Sequence, residues 1–409
     1  MILFFITDVK RLPILYGQPF LVQVIVYIDK HMFCVYNNNE RISSHALIST
    51  FHHARYSMKI IHTADLHLGM HPDKGYPWSE SRHQALWESL RHIIDVANEQ
   101  SADLLLIAGD LFHRQPLLRD LKEVNALFDT LTTAQVVLIA GNHDHMGPRS
   151  HYRDFVWSDH VTMLSEAEMD SVYLEDLHTE VHGFSYHQSE IRDSLYDDLQ
   201  APGDGRIHIL LGHGGDDRHI PIDIHRLAAA GFHYVALGHI HKPQIREDLR
   251  LAWCGSPEPT DHTDMGERGY VLADVTLRRT QLRFIPCCTA QYIPLSITVT
   301  PETTRESLRR SLIRAMSAQG EENIYLATLT GQRDADLDLT TPIALQQYRI
   351  RQWTDQTQVA LDYDRLRYLH SQDLLGRFLA EISSLPDGPL KDKAMAYGTR
   401  ACLQEGGCL

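Results

Sequence analysis

Asp65-Leu66-His67, Asp110 with His113 three residues on, Asn142-His143-Asp144, His213, and His239-Ile240-His241 are the residues of this chain best suited to chemistry. Aspartate, asparagine and histidine without cysteine form an oxygen and nitrogen ligand set. Such a set suits manganese, iron or zinc better than a metal that prefers thiolate. There are more ligands here than one ion needs, so the natural reading is a two-metal site.

Each ligand group follows a short apolar run. Lys59 to Ala64 leads to Asp65, Leu104 to Gly109 leads to Asp110, and Val136 to Gly141 leads to Asn142. Ile207 to Gly212 leads to His213, and Tyr234 to Gly238 leads to His239. Runs of four to seven residues rich in Val, Ile and Leu predict strands buried on both faces. In an open α/β sheet, ligands gather at the carboxyl ends of the strands, which is where every one of these residues falls. Gly109, Gly141, Gly212 and Gly238 stand just before Asp110, Asn142, His213 and His239. Glycine there leaves room where the backbone must turn close to something.

The ordered motifs DxH, GDxxH, GNHD, GH and GHxH resemble those of the calcineurin-like metallophosphoesterases. Within them the chain is most similar to the SbcD-type DNA repair exonucleases, the nuclease subunits of SMC-like ATPase complexes. The match covers roughly residues 58–290. Gly109-Asp110-Leu111-Phe112-His113-Arg114 stands where the Ser/Thr phosphatase branch has GDxxDRG, which favours the nuclease branch. The resemblance implies an α/β fold: a two-sheet sandwich flanked by helices, with a small α+β C-terminal domain and terminal helices. It implies two divalent ions, most simply manganese, although iron and zinc also suit the ligands. Asp65, His67, Asp110 and His241 would hold one ion. Asp110, Asn142, His213 and His239 would hold the other, Asp110 bridging because a carboxylate has two oxygens to share. His143 would face the phosphate and protonate or stabilise the leaving oxygen, with His113 and Asp144 orienting it. The implied activity is metal-dependent DNA exonuclease action in DNA repair, beside a separate SMC-like coiled-coil ATPase.

Composition constrains this reading. The 409 residues suffice for two or three domains, and 43% hydrophobic with 22% charged residues is ordinary for a globular protein. The net charge of -15 runs against a nucleic-acid binder, whose phosphate contacts usually show as a basic patch. A grip on DNA must then be local, come from the metals, or come from a partner chain. The six cysteines, at 34, 254, 287, 288, 402 and 408, form no CxxC, and vicinal Cys287-Cys288 reads as strand packing. A reducing cytoplasm fits this usage, and no apolar run is long enough to span a membrane. No GxxxxGK[ST] occurs, so the chain does not hydrolyse ATP by that route. A homodimer is compatible with the sequence.

Three functions compete: a DNA nuclease, a phosphodiesterase or phosphatase acting on non-DNA substrates, and a non-catalytic scaffold. Retention of all seven ligand positions and His143 counts against the scaffold. The region after residue 290 counts against a small-molecule enzyme, and the net acidity counts against the nuclease.

Along the chain, residues 1–57 read as an N-terminal extension outside the core, with one added hairpin, Phe20–Ile28 with Met32–Tyr36, as the alternative. The metallophosphoesterase domain is expected over 58–290, a small capping or DNA-contact domain over 291–368, and helices over 369–409. A helix capped by Ser79 or Ser81 should run to about Asn98 with Leu86, Leu90, Ile93, Ile94 and Ala97 on its core face. Arg82, Glu88 and Arg91 are expected on its solvated side. A second helix is expected over 117–130 and a third over 222–230. The helix over 301–318 is expected to carry Pro301 in its first turn and the pairs Arg305/Arg309 and Arg310/Arg314 on its surface. An amphipathic helix over 371–385 presents Leu374, Leu375, Phe378, Ile382 and Leu385, a stripe suited to docking the ATPase.

Overall fold

Alternation within the apolar runs decides how this fold is layered. The computed structural model describes residues 4–6, 24–28, 31–35, 57–339, 345 and 347–405. Met1–Tyr56 and Ser57–Leu409 are separate compact units. In the first, β2 (Val24–Ile28) and β3 (His31–Val35) form an antiparallel hairpin, and β1 (Phe4–Ile6) pairs parallel with β2. The expected hairpin is present with shorter strands. Its outer residues lie outside the described ones.

The second unit begins with β4 (Met58–Thr63), β5 (Leu104–Ala108), β6 (Gln135–Ile139) and β7 (Val161–Met163), paired in parallel. The second sheet's parallel centre is β9 (Thr179–Gly183), β10 (Ile207–His213), β11 (Tyr234–Gly238) and β13 (Leu251–Trp253). Its antiparallel edges are β8 (Asp170–Leu174) and β12 (Gln244–Arg246). The hairpin β14 (Gly269–Val275) and β15 (Thr280–Pro286) returns to the first sheet and pairs antiparallel with β4. Two six-stranded sheets result, ordered β15-β14-β4-β5-β6-β7 and β12-β13-β11-β10-β9-β8. Because side chains alternate along a strand, Ile60, Leu104, Leu106 and Val137 point between the sheets, against Val181, Ile209, Leu211 and Ala236. Their neighbours Ile61, Leu105 and Leu138 point outward onto helices.

The helix α1 (Ser79–Glu99) buries Leu86, Leu90, Ile93, Ile94 and Ala97 as expected, and α2 (Leu118–Phe128) buries Leu121, Val124 and Phe128. Two expectations about α1 fail. Trp78, not a serine, is its N-cap, without a side-chain capping bond. The indole Nε1 of Trp78 donates to Asp73 Oδ2 over 2.9 Å, which stops the preceding loop at that point. Arg82 is buried, not solvated: its guanidinium donates to Glu258 Oε2 at 2.7 Å and to the Pro259 carbonyl at 2.6 Å. It lies four residues before Leu86, so helix geometry puts it on the core stripe whatever its charge. The short helix α3 (Ile224–Ala229) is capped by Asp223.

A third sheet is built by β16 (Tyr292–Val299), β17 (Ile324–Arg333) and β18 (Arg349–Asp355), all parallel, with β19 (Gln358–Val359) beside β17. The crossover helix α4 (Arg305–Ser317) packs Leu308, Leu312 and Met316 on Leu295, Val299 and Leu329. Its cap is Thr304, which accepts from the Ser307 amide, so Pro301 stands before the helix and not in its first turn. Asp73, buried in the loop after His67, accepts from Tyr292 Oη at 2.8 Å and pairs with Arg351 at 3.0 Å. That contact ties the third sheet to the ligand loop.

The helices α5 (Tyr363–Leu369), α6 (Leu374–Ser383) and α7 (Pro389–Glu405) close the described chain. On α6, Leu375 and Leu379 are buried and Phe378 and Ile382 half-buried, the helix packing on α5 and α7, while Leu374, 72% exposed, and Leu385 face solvent, so the expected stripe is only partly covered. Cys254, Cys287, Cys288 and Cys402 are free thiols.

Candidate metal centre

The ends of β4, β5, β6, β10 and β11 meet at one edge of the sandwich. The loops there are zipped by main-chain bonds: Asp65 N to Gly109 O and His67 N to Asp110 O, each 3.1 Å. Asp65, His67, Asp110 and His239 all have positive φ, at 53°, 47°, 51° and 86°. Non-glycine residues in that region cost on the order of 1–3 kcal/mol each and cluster at functional sites. The glycines fit the expectation of close approach. A Cβ on Gly109 would collide with the His213 ring, on Gly141 with the Asp110 carboxylate, and on Gly238 with the Ala108 carbonyl.

All seven expected ligand residues are brought together. His67 Nε2 lies 3.1 Å from His241 Nε2, with Asp65 in the same group. Asn142 Oδ1 lies 3.0 Å from His213 Nε2 and 3.1 Å from His239 Nδ1. Between these sets stands Asp110, whose Oδ2 is 3.8 Å from His67 Nε2 and 3.6 Å from His213 Nε2. Its other oxygen accepts from the His143 amide at 2.9 Å.

Residues 58–243 match the family model for calcineurin-like phosphoesterases. The chain carries a calcineurin-like metallophosphoesterase domain. It is 31% identical over 240 residues to the uncharacterized metallophosphoesterase YhaO of Bacillus subtilis, covering 54% of this chain and 58% of that protein. It is 29% identical over 217 residues to the DNA double-strand break repair protein Mre11 of Aeropyrum pernix, covering 46% and 50% respectively. Against the protein of the same name from Halobacterium salinarum it is 26% identical over 308 residues, covering 71% and 74%. The chain thus spans little more than half the length of the first two relatives.

In this metallophosphoesterase domain the rings are aimed by bonds on their far sides. His213 Nδ1 is 2.7 Å from the Ala108 carbonyl and donates to it, so Nε2 is the nitrogen that faces Asp110 and Asn142. His241 Nδ1 is held at 3.0 Å by Asp264, and His239 Nε2 at 2.8 Å by Asp216. Each ring therefore turns its remaining nitrogen inward. Asp216 and Asp264 escaped the sequence reading. Both sit in loops, and loop aspartates are too common among 53 acidic residues to stand out.

The electrostatics of the metallophosphoesterase site fit bound cations. Asp65 and Asp110 are buried side by side. Burial, with Asp110 adding to it, pushes the Asp65 carboxyl up to about 6 against the opposing effect of His241 and His213. Burial pushes His67 well down and His239 to about 4, leaving both imidazoles neutral and free to donate a lone pair. Burial would also raise Asp110, but the adjacent His213 and His67 outweigh it and hold the carboxyl below its usual range. Burial would lower His213 and His241, but Asp110 beside the first and Asp264 beside the second outweigh it, raising His213 to about 9 and His241 above its usual value. Two buried carboxylates among these imidazoles suit divalent ions, whose charge would offset theirs.

His143 and His113 stand at the mouth of the metallophosphoesterase site. Their rings stack at 5.1 Å, and that of His143 lies 4.8 Å from His67. The Nδ1 of His143 is 3.2 Å from the His113 carbonyl, so His113 orients it through its backbone and Nε2 is the ring's remaining nitrogen. Asp144 serves differently from the expectation. It accepts from the amides of Gly141 and Phe112 and from Tyr152 Oη, which locks the two loops together, and no bond joins it to His143. No helix among the described residues is long and apolar enough to cross a membrane.

Proposed function

We propose that this chain is a metal-dependent DNA exonuclease that acts in DNA repair beside a separate SMC-like ATPase. The observation that carries the reading is the position of His143. Its ring lies 4.8 Å from that of His67, its amide is bonded to Asp110, its Nδ1 is taken up by the His113 carbonyl and the side chain is exposed, so Nε2 is the nitrogen left to give a leaving oxygen its proton. Relatives whose names include DNA double-strand break repair support the choice of substrate. Asp65, His67, Asp110 and His241 would hold one divalent ion, and Asp110, Asn142, His213 and His239 the other, manganese being the metal proposed. Such ions polarise a phosphate and supply a nucleophile at neutral pH. The protein's own part is to aim the ligand nitrogens, to hold Asp110 ionised between the two sets, and to deliver a proton from His143 Nε2. Digestion of linear duplex, single-stranded and hairpin DNA with added manganese tests this, and end-dependent shortening of DNA is expected. A phosphodiesterase acting on other substrates is the second reading, favoured by the net charge of -15. It predicts cleavage of nitrophenyl phosphodiesters with DNA left intact.

A further inference from the structure

A second cluster of ligand-type side chains lies at the opposite end of the second sheet. On β9, Glu180 and His182 are two apart and share a face, and His208 on β10 stands directly across from Glu180. His208 precedes His213 by five positions, which separates the cluster from the metal centre by roughly 16 Å of extended strand. Three donor atoms converge. His182 Nε2 is 2.9 Å from His208 Nδ1, and Glu180 Oε2 is 3.8 Å from the same nitrogen. Two donors tetrahedrally placed on a zinc ion at ~2.0–2.1 Å are about 3.3 Å apart, and the observed spacings straddle that value.

The surroundings repeat what orients the ligands of the metal centre. His208 is fully buried, and Asp204 Oδ1 takes its Nε2 proton at 2.9 Å, leaving Nδ1 as the inward lone pair. Ser171 Oγ donates to Glu180 Oε1 at 2.7 Å and turns Oε2 toward the histidines. That Oε2 is buried and receives no well-directed hydrogen bond, although Arg206 Nη1 lies 2.9 Å away. Arg206 is itself engaged, donating to Asp204 Oδ2 and lying over the Tyr173 ring at 5.1 Å. Glu180, Asp204 and Arg206 together leave one negative charge beside two imidazoles.

We infer that Glu180, His182 and His208 form a further divalent-cation site of the zinc class, distinct from the metallophosphoesterase centre. Two imidazoles and one carboxylate are a zinc ligand set, and bound zinc would cross-link β9 to the start of β10. The test uses full-length protein stripped with chelator, incubated with zinc alone, desalted and assayed by atomic emission. Wild type should retain one more zinc per chain than His182→Gln, with equal manganese-dependent phosphodiesterase activity in the two proteins. Glu180→Gln keeps the side chain's size and should lose the same zinc, so a misfolded His182→Gln does not rescue the idea. The difference between proteins carries the test, whatever the metallophosphoesterase centre itself takes up. Equal zinc in wild type and a folded variant would overturn the inference and leave the two histidines as a pair sharing one proton.

Discussion

At the scale of single residues, each ligand ring is set by what its far side touches. Asp264 holds His241 and Asp216 holds His239, at 3.0 and 2.8 Å. Partners of this kind typically change metal affinity by about 10–100-fold. Asp264→Asn and Asp216→Asn should each weaken manganese binding within that range in a chelator competition, without lowering the melting temperature of the metal-free protein. Unchanged affinity in both would remove them from the site. That the seven expected ligand residues converge was legible because each follows a buried strand, so type and position agreed. These two carboxylates were not, since a loop imposes no periodicity from which to read direction. His143 was legible as a residue beside a ligand. Its orientation by the His113 carbonyl was not, because a backbone contact leaves no mark in side-chain identity.

Among the elements, the strands followed from apolar runs, while helix boundaries drifted wherever a cap competed with a proline or serine nearby. Thr304 won over Pro301 because its side chain satisfies the Ser307 amide, which proline cannot do for its own helix. Arg82 shows charge misleading where spacing was right. Removing one partner of such a buried pair typically costs about 3–5 kcal/mol. Arg82→Leu should lose that much in urea unfolding, and Arg82→Met with Glu258→Gln should recover part of it. A loss under about 1 kcal/mol, the scale of an exposed pair, would contradict the burial. The strand β4 makes a further polar contact between the two sheets, His62 Nδ1 with Tyr234 Oη at 2.7 Å. Burial lowers the His62 pKa from 6.5 to about 3. The folded state therefore keeps this ring neutral while the unfolded chain protonates it below 6.5. Its contribution to stability is complete above that pH and declines as pH falls toward 3. The slope is about 1.4 kcal/mol per pH unit for one proton. His62→Leu should flatten the stability profile by that slope between about pH 6 and pH 4. An unaltered slope would mean the ring is reached by water.

For the whole molecule, Met1–Tyr56 forms its own compact unit and the metallophosphoesterase sandwich begins at Met58. A chain starting at Met58 should keep its melting temperature and manganese-dependent activity; loss of folded protein would show that the first unit is needed. The third sheet is tied to the ligand loop through Asp73, Tyr292 and Arg351. The central claim is that one residue, Asp110, joins two metals while its neighbour His143 supplies the proton. Metal content, together with rates on DNA and on a nitrophenyl phosphodiester, tests it most directly in Asp110→Asn and His143→Ala. Asp110→Asn should lose metal and both activities. His143→Ala should retain wild-type metal, lose roughly 10²–10⁴-fold on DNA, and lose far less on the nitrophenyl substrate, whose leaving group needs little protonation. If His143→Ala arrives without metal, or loses both substrates equally, His143 is not the leaving-group acid and the account fails.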